Sequence, residues 1–120
     1  MSKGPETRLQ QRIQKAIRKA YPNSFFFKHW GGPFSPAGIP DLIGCVEGLF
    51  FGLEVKLPNE KRSKTSDIQD ETIADIVNAG GCAGVVRSPQ DALRYIDSAL
   101  LDKYASGTPR RARNSLKRSM

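Results

Sequence analysis

Apolar residues recur along the chain in two periods. Between residues 6 and 20, Leu9, Ile13, Ala16, Ile17 and Ala20 fall at helical spacing and form one stripe. Arg8, Arg12, Lys15 and Lys19 form a parallel basic stripe, about 100° round the same helix. Pro22 and Asn23 end it. Residues 24–29, Ser-Phe-Phe-Phe-Lys-His, read as a strand. Three successive phenylalanines predict a strand buried on both faces. Residues 30–38 hold Gly31, Gly32, Pro33, Pro36 and Gly38 and read as a loop. Residues 41–46 and 49–56 read as two strands joined by a tight turn at Glu47-Gly48. A polar loop covers 57–65. Residues 66–79 read as a helix with Ile68, Ile73, Ile76 and Val77 on one side and Gly80-Gly81 as its stop. Ala83 to Arg87 is a short apolar strand. Ser88-Pro89-Gln90-Asp91 has the form of a capping box with proline at the first helical position. The helix it opens runs to about Lys103 and buries Leu93, Ile96 and Leu100.

The order α-β-β-β-α-β-α predicts a single-domain α/β fold with a mixed four-stranded sheet and helices on both faces. A chain of 120 residues holds one core, which excludes a separate motor or nucleotide-cofactor domain. No apolar run approaches the roughly 20 residues that span a bilayer. The first residues, Met1-Ser2-Lys3-Gly4-Pro5-Glu6, lack an apolar secretory core. We therefore expect a cytoplasmic protein with no membrane partner. Cys45, Cys82 and the single histidine, His29, cannot build a four-ligand zinc site. Both cysteines read as reduced core residues, and His29 as a structural strand end.

The net charge of +7 is unevenly placed. Residues 1–30 carry seven Lys/Arg and one acid, residues 31–102 six and eleven, and residues 103–120 six and none. Basic ends suit a polyanion such as nucleic acid. An acidic middle inside such a protein calls for another reason, and a bound divalent metal is one. Residues 105–120 have almost no apolar content and read as a basic tail on a domain of residues 1–104.

The hairpin turn fixes a register. With Glu47 and Gly48 as the turn, Val46 pairs with Leu49 and, counting back, Asp41 pairs with Glu54. Directly opposed residues share a face, with Cβ atoms about 4.5–5.5 Å apart. Lys56, two residues past Glu54, projects from that face too. Two such carboxylates raise each other's pKa or hold a cation between them. With a lysine beside them they form a metal-hydrolysis set for phosphate esters. The competing reading is a surface salt-bridge cluster, which contributes little.

These residues resemble a known pattern. Gly38-Ile39-Pro40-Asp41-Leu42-Ile43 followed by Leu53-Glu54-Val55-Lys56 is similar to the PD…(D/E)xK signature of the PD-(D/E)xK nuclease superfamily. The flanks resemble the VRR-NUC group within it. That group has a glutamate near the start of its first helix, matched by Glu6, and a glutamine early in the helix after ExK, matched by Gln69. Its Val-Arg-type strand end is matched by Val85-Val86-Arg87-Ser88, which departs from Val-Arg-Arg. The resemblance covers about residues 6–100 and implies a restriction-endonuclease-like core. It implies that Glu6, Asp41, Glu54 and the Val55 carbonyl bind Mg²⁺ or Mn²⁺. It implies that Lys56 positions the attacking water and that Gln69 lines the site.

Simpler roles stand beside these. Glu6 favours the positive end of its helix, and Ser66-x-x-Gln69 has the form of a capping box. Arg8, Arg12, Lys15, Lys61, Arg62, Lys64 and Arg87 are candidate DNA contacts, or else solvated charges. The resemblance implies a structure-selective DNA endonuclease, a four-way junction resolvase acting as a homodimer. The alternatives are a non-catalytic nucleic-acid-binding module and a nuclease subunit that needs a partner protein.

Overall fold

A computed structural model of the protein describes residues 4–60 and 67–105. Seven elements follow in the expected order: α1 (Pro5–Ala20), β1 (Phe25–Lys28), β2 (Leu42–Val46), β3 (Leu49–Val55), α2 (Asp67–Asn78), β4 (Cys82–Val86) and α3 (Pro89–Ala105). The strands lie in the order β1-β2-β3-β4. The first three are antiparallel, and β4 runs parallel to β3 after the α2 crossover. The sheet is therefore mixed, as the order of elements predicts.

The β2–β3 turn is tight because both its residues take left-handed backbone angles, φ 50° at Glu47 and 83° at Gly48. That pair of signs marks the two-residue hairpin whose twist matches its strands. The end of α3 braces it. Lys103 Nζ donates to the Glu47 carbonyl and the Tyr104 hydroxyl to its carboxylate.

Alternate residues of β2 and β3 (Leu42, Val46, Leu49, Phe51, Leu53 and Val55) meet Leu9, Ile13 and Ile17 of α1 and Ile96 and Leu100 of α3 in one core. Phe26 joins from β1, its ring centroid 6.4 Å from that of Phe51. Gly44 makes room for it: a Cβ there would lie 2.4 Å from the Phe26 ring. The capping sequence behaves as expected, with the Asp91 amide donating to Ser88 Oγ at 3.0 Å. Asp91 Oδ2 in turn accepts from the Arg87 amide at 2.9 Å.

The second face of the sheet differs from expectation in three ways. The phenylalanine run is not buried on both sides: Phe25 is 67% and Phe27 47% exposed. The reason is position. β1 is an edge strand, and α2 packs against β4 at the opposite edge. Cys45 pairs with Phe25 on this face and is exposed, so of the two cysteines only Cys82 is in the core. No α2 residue is fully buried, and Ile68 and Val77 are about half exposed. Among the described residues no helix is long and apolar enough to cross a membrane.

Candidate active site

One end of the sheet gathers the polar residues. The β2–β3 pairing runs from Val46↔Leu49 to Leu42↔Leu53, which sets Asp41 and Glu54 opposite each other at the next step. The edge strand reaches the same level, where the His29 amide donates to the Asp41 carbonyl at 2.8 Å. The Asp41 side chain is fixed separately, its Oδ2 accepting from the Val55 amide at 2.8 Å. Lys56 Nζ stands 3.8 Å from Glu54 Oε2. Gln69, in the first turn of α2, donates through Nε2 to the same oxygen. Asp41, Glu54, Lys56 and Gln69 therefore meet, although they come from a loop end, a strand end and a helix start. Ser66, the residue that the capping alternative needs, lies outside the described residues.

Glu54 is the electrostatic centre. It is only 3% exposed, and among the described residues its Oε1 is buried without a hydrogen-bond partner. Burial first, and the Asp41 carboxylate second, push its pKa from 4.5 up to about 7, against the pull of Lys56. A buried carboxylate oxygen with nothing to bind is costly. Hard carboxylate oxygens from Asp41 and Glu54 fit a divalent cation, and the free Oε1 is the observation that favours one.

Glu6 stands at the rim rather than in the pair. It is exposed in the first turn of α1, and burial, followed by the charge of Asp41, raises its pKa. Among the described residues no group of three or more His, Cys, Asp or Glu is close enough together to hold a metal. The paired carboxylates are in place, while the third is near without joining them.

Two residues escaped the sequence reading. Gln10 is buried on α1 beneath the site. Its Nε2 donates to Glu6 Oε1 at 3.5 Å, and its Oε1 accepts from Lys28 Nζ. Lys28 Nζ also lies 4.6 Å from the centre of the Trp30 ring. Each had a signal. Gln10 sits three residues before Ile13 and seven before Ile17, so a polar side chain falls on the buried face. Lys28 alternates with Phe26 and so shares its side of the sheet.

Arg8, Arg12 and Lys15 are exposed along α1, as is Lys19. Arg87 is neither free nor merely solvated: its Nη1 donates to the Leu57 carbonyl at 2.6 Å and ties the end of β4 to the chain leaving β3. Lys61, Arg62, Lys64 and residues 106–120 lie outside the described residues.

No known family matches this sequence on its own, and no curated protein matches it. Solved structures do. A VRR_NUC domain protein superposes with a TM-score of 0.60 at 17% identity, covering 82% of this chain and 89% of that one. A second structure, a VRR_NUC domain, gives 0.54 at 22% identity over 72% and 92%. Hjc of Archaeoglobus fulgidus, a Holliday junction resolvase from an archaeal hyperthermophile, gives 0.55 at 22% identity over 68% and 67%. At these identities the likeness is one of fold, shared with the two VRR_NUC domain structures and with Hjc.

Proposed function

We propose that the protein is a divalent-metal-dependent, structure-selective DNA endonuclease, and specifically a cytoplasmic four-way junction resolvase that acts as a homodimer. The observation that carries this reading is the opposed Asp41 and Glu54 pair, with Lys56 at its side and a buried Glu54 oxygen that has no hydrogen-bond partner among the described residues. The likeness of fold to a Holliday junction resolvase supports the choice of substrate.

Asp41 and Glu54 would hold the Mg²⁺ or Mn²⁺, with Glu6 and the Val55 carbonyl completing the set. Bound there, the cation supplies the charge that activates water and polarises the scissile phosphodiester. The protein's own groups prepare the rest. The Val55 amide fixes the Asp41 carboxylate, and Gln69 fixes Glu54 through Oε2 while leaving Oε1 unused. Lys56 orients the attacking water and offsets negative charge that develops on the phosphate. Arg8, Arg12 and Lys15 grip backbone phosphates at the mouth, with Lys61, Arg62, Lys64 and the basic segment 105–120 as further contacts.

The dimer is argued from the second face of the sheet. Phe25, Phe27, Cys45 and Phe50 are exposed on it, on strands whose ends carry Asp41 and Glu54. These side chains form an exposed apolar patch beside the carboxylate pair, and a second copy offers the same patch back. Two active sites related by a two-fold axis match two strands of a symmetric junction.

The test is a cleavage assay with Mg²⁺ and with Mn²⁺ on a labelled four-way junction, a flap and linear duplex. Paired symmetric cuts in the junction, abolished in Asp41→Ala, are expected. Absence of metal-dependent cutting on every substrate would overturn the reading.

A further inference from the structure

The loop between β1 and β2 carries aromatic residues that the catalytic set does not use. Trp30 is 73% exposed and Phe34 99% exposed. Neither contributes to the core. The loop is short of side-chain support: Gly31 has open space around it, and a turn closes from the Ser35 amide to the Gly32 carbonyl at 3.1 Å. Its position is nevertheless fixed at its root. The His29 amide binds the Asp41 carbonyl, so Trp30 is the first residue beyond the rung that holds the catalytic aspartate. Lys28 holds the indole from one side, with Nζ 4.6 Å from the ring centre, and is itself held by buried Gln10. A flat, exposed π-face therefore stands beside a cation at the mouth of a phosphodiester-cleaving site.

We propose that Trp30 is a stacking platform for an unpaired nucleobase of the DNA strand being cut, with Lys28 set for the adjacent phosphate. This rests on the nuclease reading and deepens it, because it names what the enzyme selects. A base in continuous duplex is stacked on both sides and cannot reach the indole. A base at a branch point or in a single strand can. Stacking on an aromatic side chain is indifferent to base identity, so the device selects structure without selecting sequence.

Trp30 is the chain's single tryptophan, so its emission reports on this position alone. The full-length protein in EDTA, which prevents cutting, is titrated with end-labelled four-way junction, single strand and fully paired duplex. Label anisotropy reads binding, and tryptophan emission reads stacking. Binding of junction and single strand is expected to quench the emission, with little change on duplex that binds as shown by anisotropy. Trp30→Ala should lower junction affinity by about tenfold with little effect on duplex affinity, and Trp30→Phe should restore most of it. Emission that stays constant while junction binds, or that falls equally on duplex, would overturn the proposal. So would emission that follows protein dilution and ignores DNA, which would make Trp30 a subunit contact. Failure of all three DNAs to bind would overturn the nuclease reading, and this assignment with it.

Discussion

The Val55 amide donates to Asp41 Oδ2 at 2.8 Å, so the residue entering β2 is fastened to the residue ending β3 by side chain as well as by register. The same carboxylate is thus a structural acceptor and the proposed metal ligand. Asp41→Ala should lower cleavage by at least about 100-fold. It also leaves a fully buried amide without its acceptor, which costs about 1–3 kcal/mol. Relief of repulsion on Glu54 offsets part of that. Asp41→Asn keeps an acceptor for the amide and should be comparably inactive while melting closer to wild type. Cleavage rates and thermal melts of the two variants separate the roles, and wild-type activity in either would remove Asp41 from the site.

The Lys56 ammonium pairs with Glu54 at 3.8 Å, and its charge also acts on Glu6. Lys56→Ala should slow cleavage by about 100- to 1,000-fold, the range for removing one charge-stabilising donor. Metal affinity, read by calorimetry in the absence of DNA, should change little. A large loss of metal binding with unchanged chemistry would make Lys56 a support for Glu54 and nothing more.

Glu54 carries a pKa of about 7 in the fold against 4.5 free. The unfolded chain releases this proton first. The raised value therefore contributes stability that is present below 4.5 and lost as the pH rises through about 7. Metal-free protein should melt lower at pH 8 than at pH 5 to that extent, and Glu54→Gln should flatten the slope. Only the ionised carboxylate binds metal, so Mn²⁺ should raise the melting temperature more at pH 8 than at pH 5. A slope unchanged in Glu54→Gln would place the titration elsewhere.

Much of this site was legible because a two-residue turn leaves no freedom in register. Once Glu47 and Gly48 were assigned to the turn, the opposition of Asp41 and Glu54 followed by counting. Burial was less legible. Phe25 and Phe27 are as apolar as Phe26, and only the place of β1 at the sheet edge exposes them. Cys45 is exposed for the same reason, since it is Phe25's partner across the strands. Gln10 is invisible to a periodicity of apolar residues, because it is a polar side chain on the buried stripe. A glutamine on the buried stripe was the informative exception.

Gln10 links Glu6 on α1 to Lys28 on β1. Gln10→Leu keeps the volume and removes both bonds. It should cost about 1 kcal/mol or less in stability, because Lys28 stays part-exposed and can be hydrated. Cleavage should fall further than stability does, since Glu6 and Lys28 both lose their shared support. Urea denaturation beside single-turnover cleavage checks this. Equal losses in Gln10→Leu and in a remote variant of matched stability would reduce Gln10 to packing.

The exposed phenylalanine face makes the last prediction. Phe27 lies on the edge strand, paired with Ile43 and two residues before the His29–Asp41 rung. Phe27→Lys places a charge on that face and leaves the core side, where Phe26 and Phe51 meet, untouched. The fold should survive with a melting temperature close to that of the unassociated wild-type protein. In sedimentation velocity the variant should run as a monomer at concentrations where wild type runs as a dimer. A junction cut by monomers should then give single nicks in place of paired cuts. If Phe27→Lys remains dimeric, the two-fold contact lies elsewhere. If wild type itself runs as a monomer while still making paired cuts, the two incisions come from separate binding events and the dimer is not part of the mechanism.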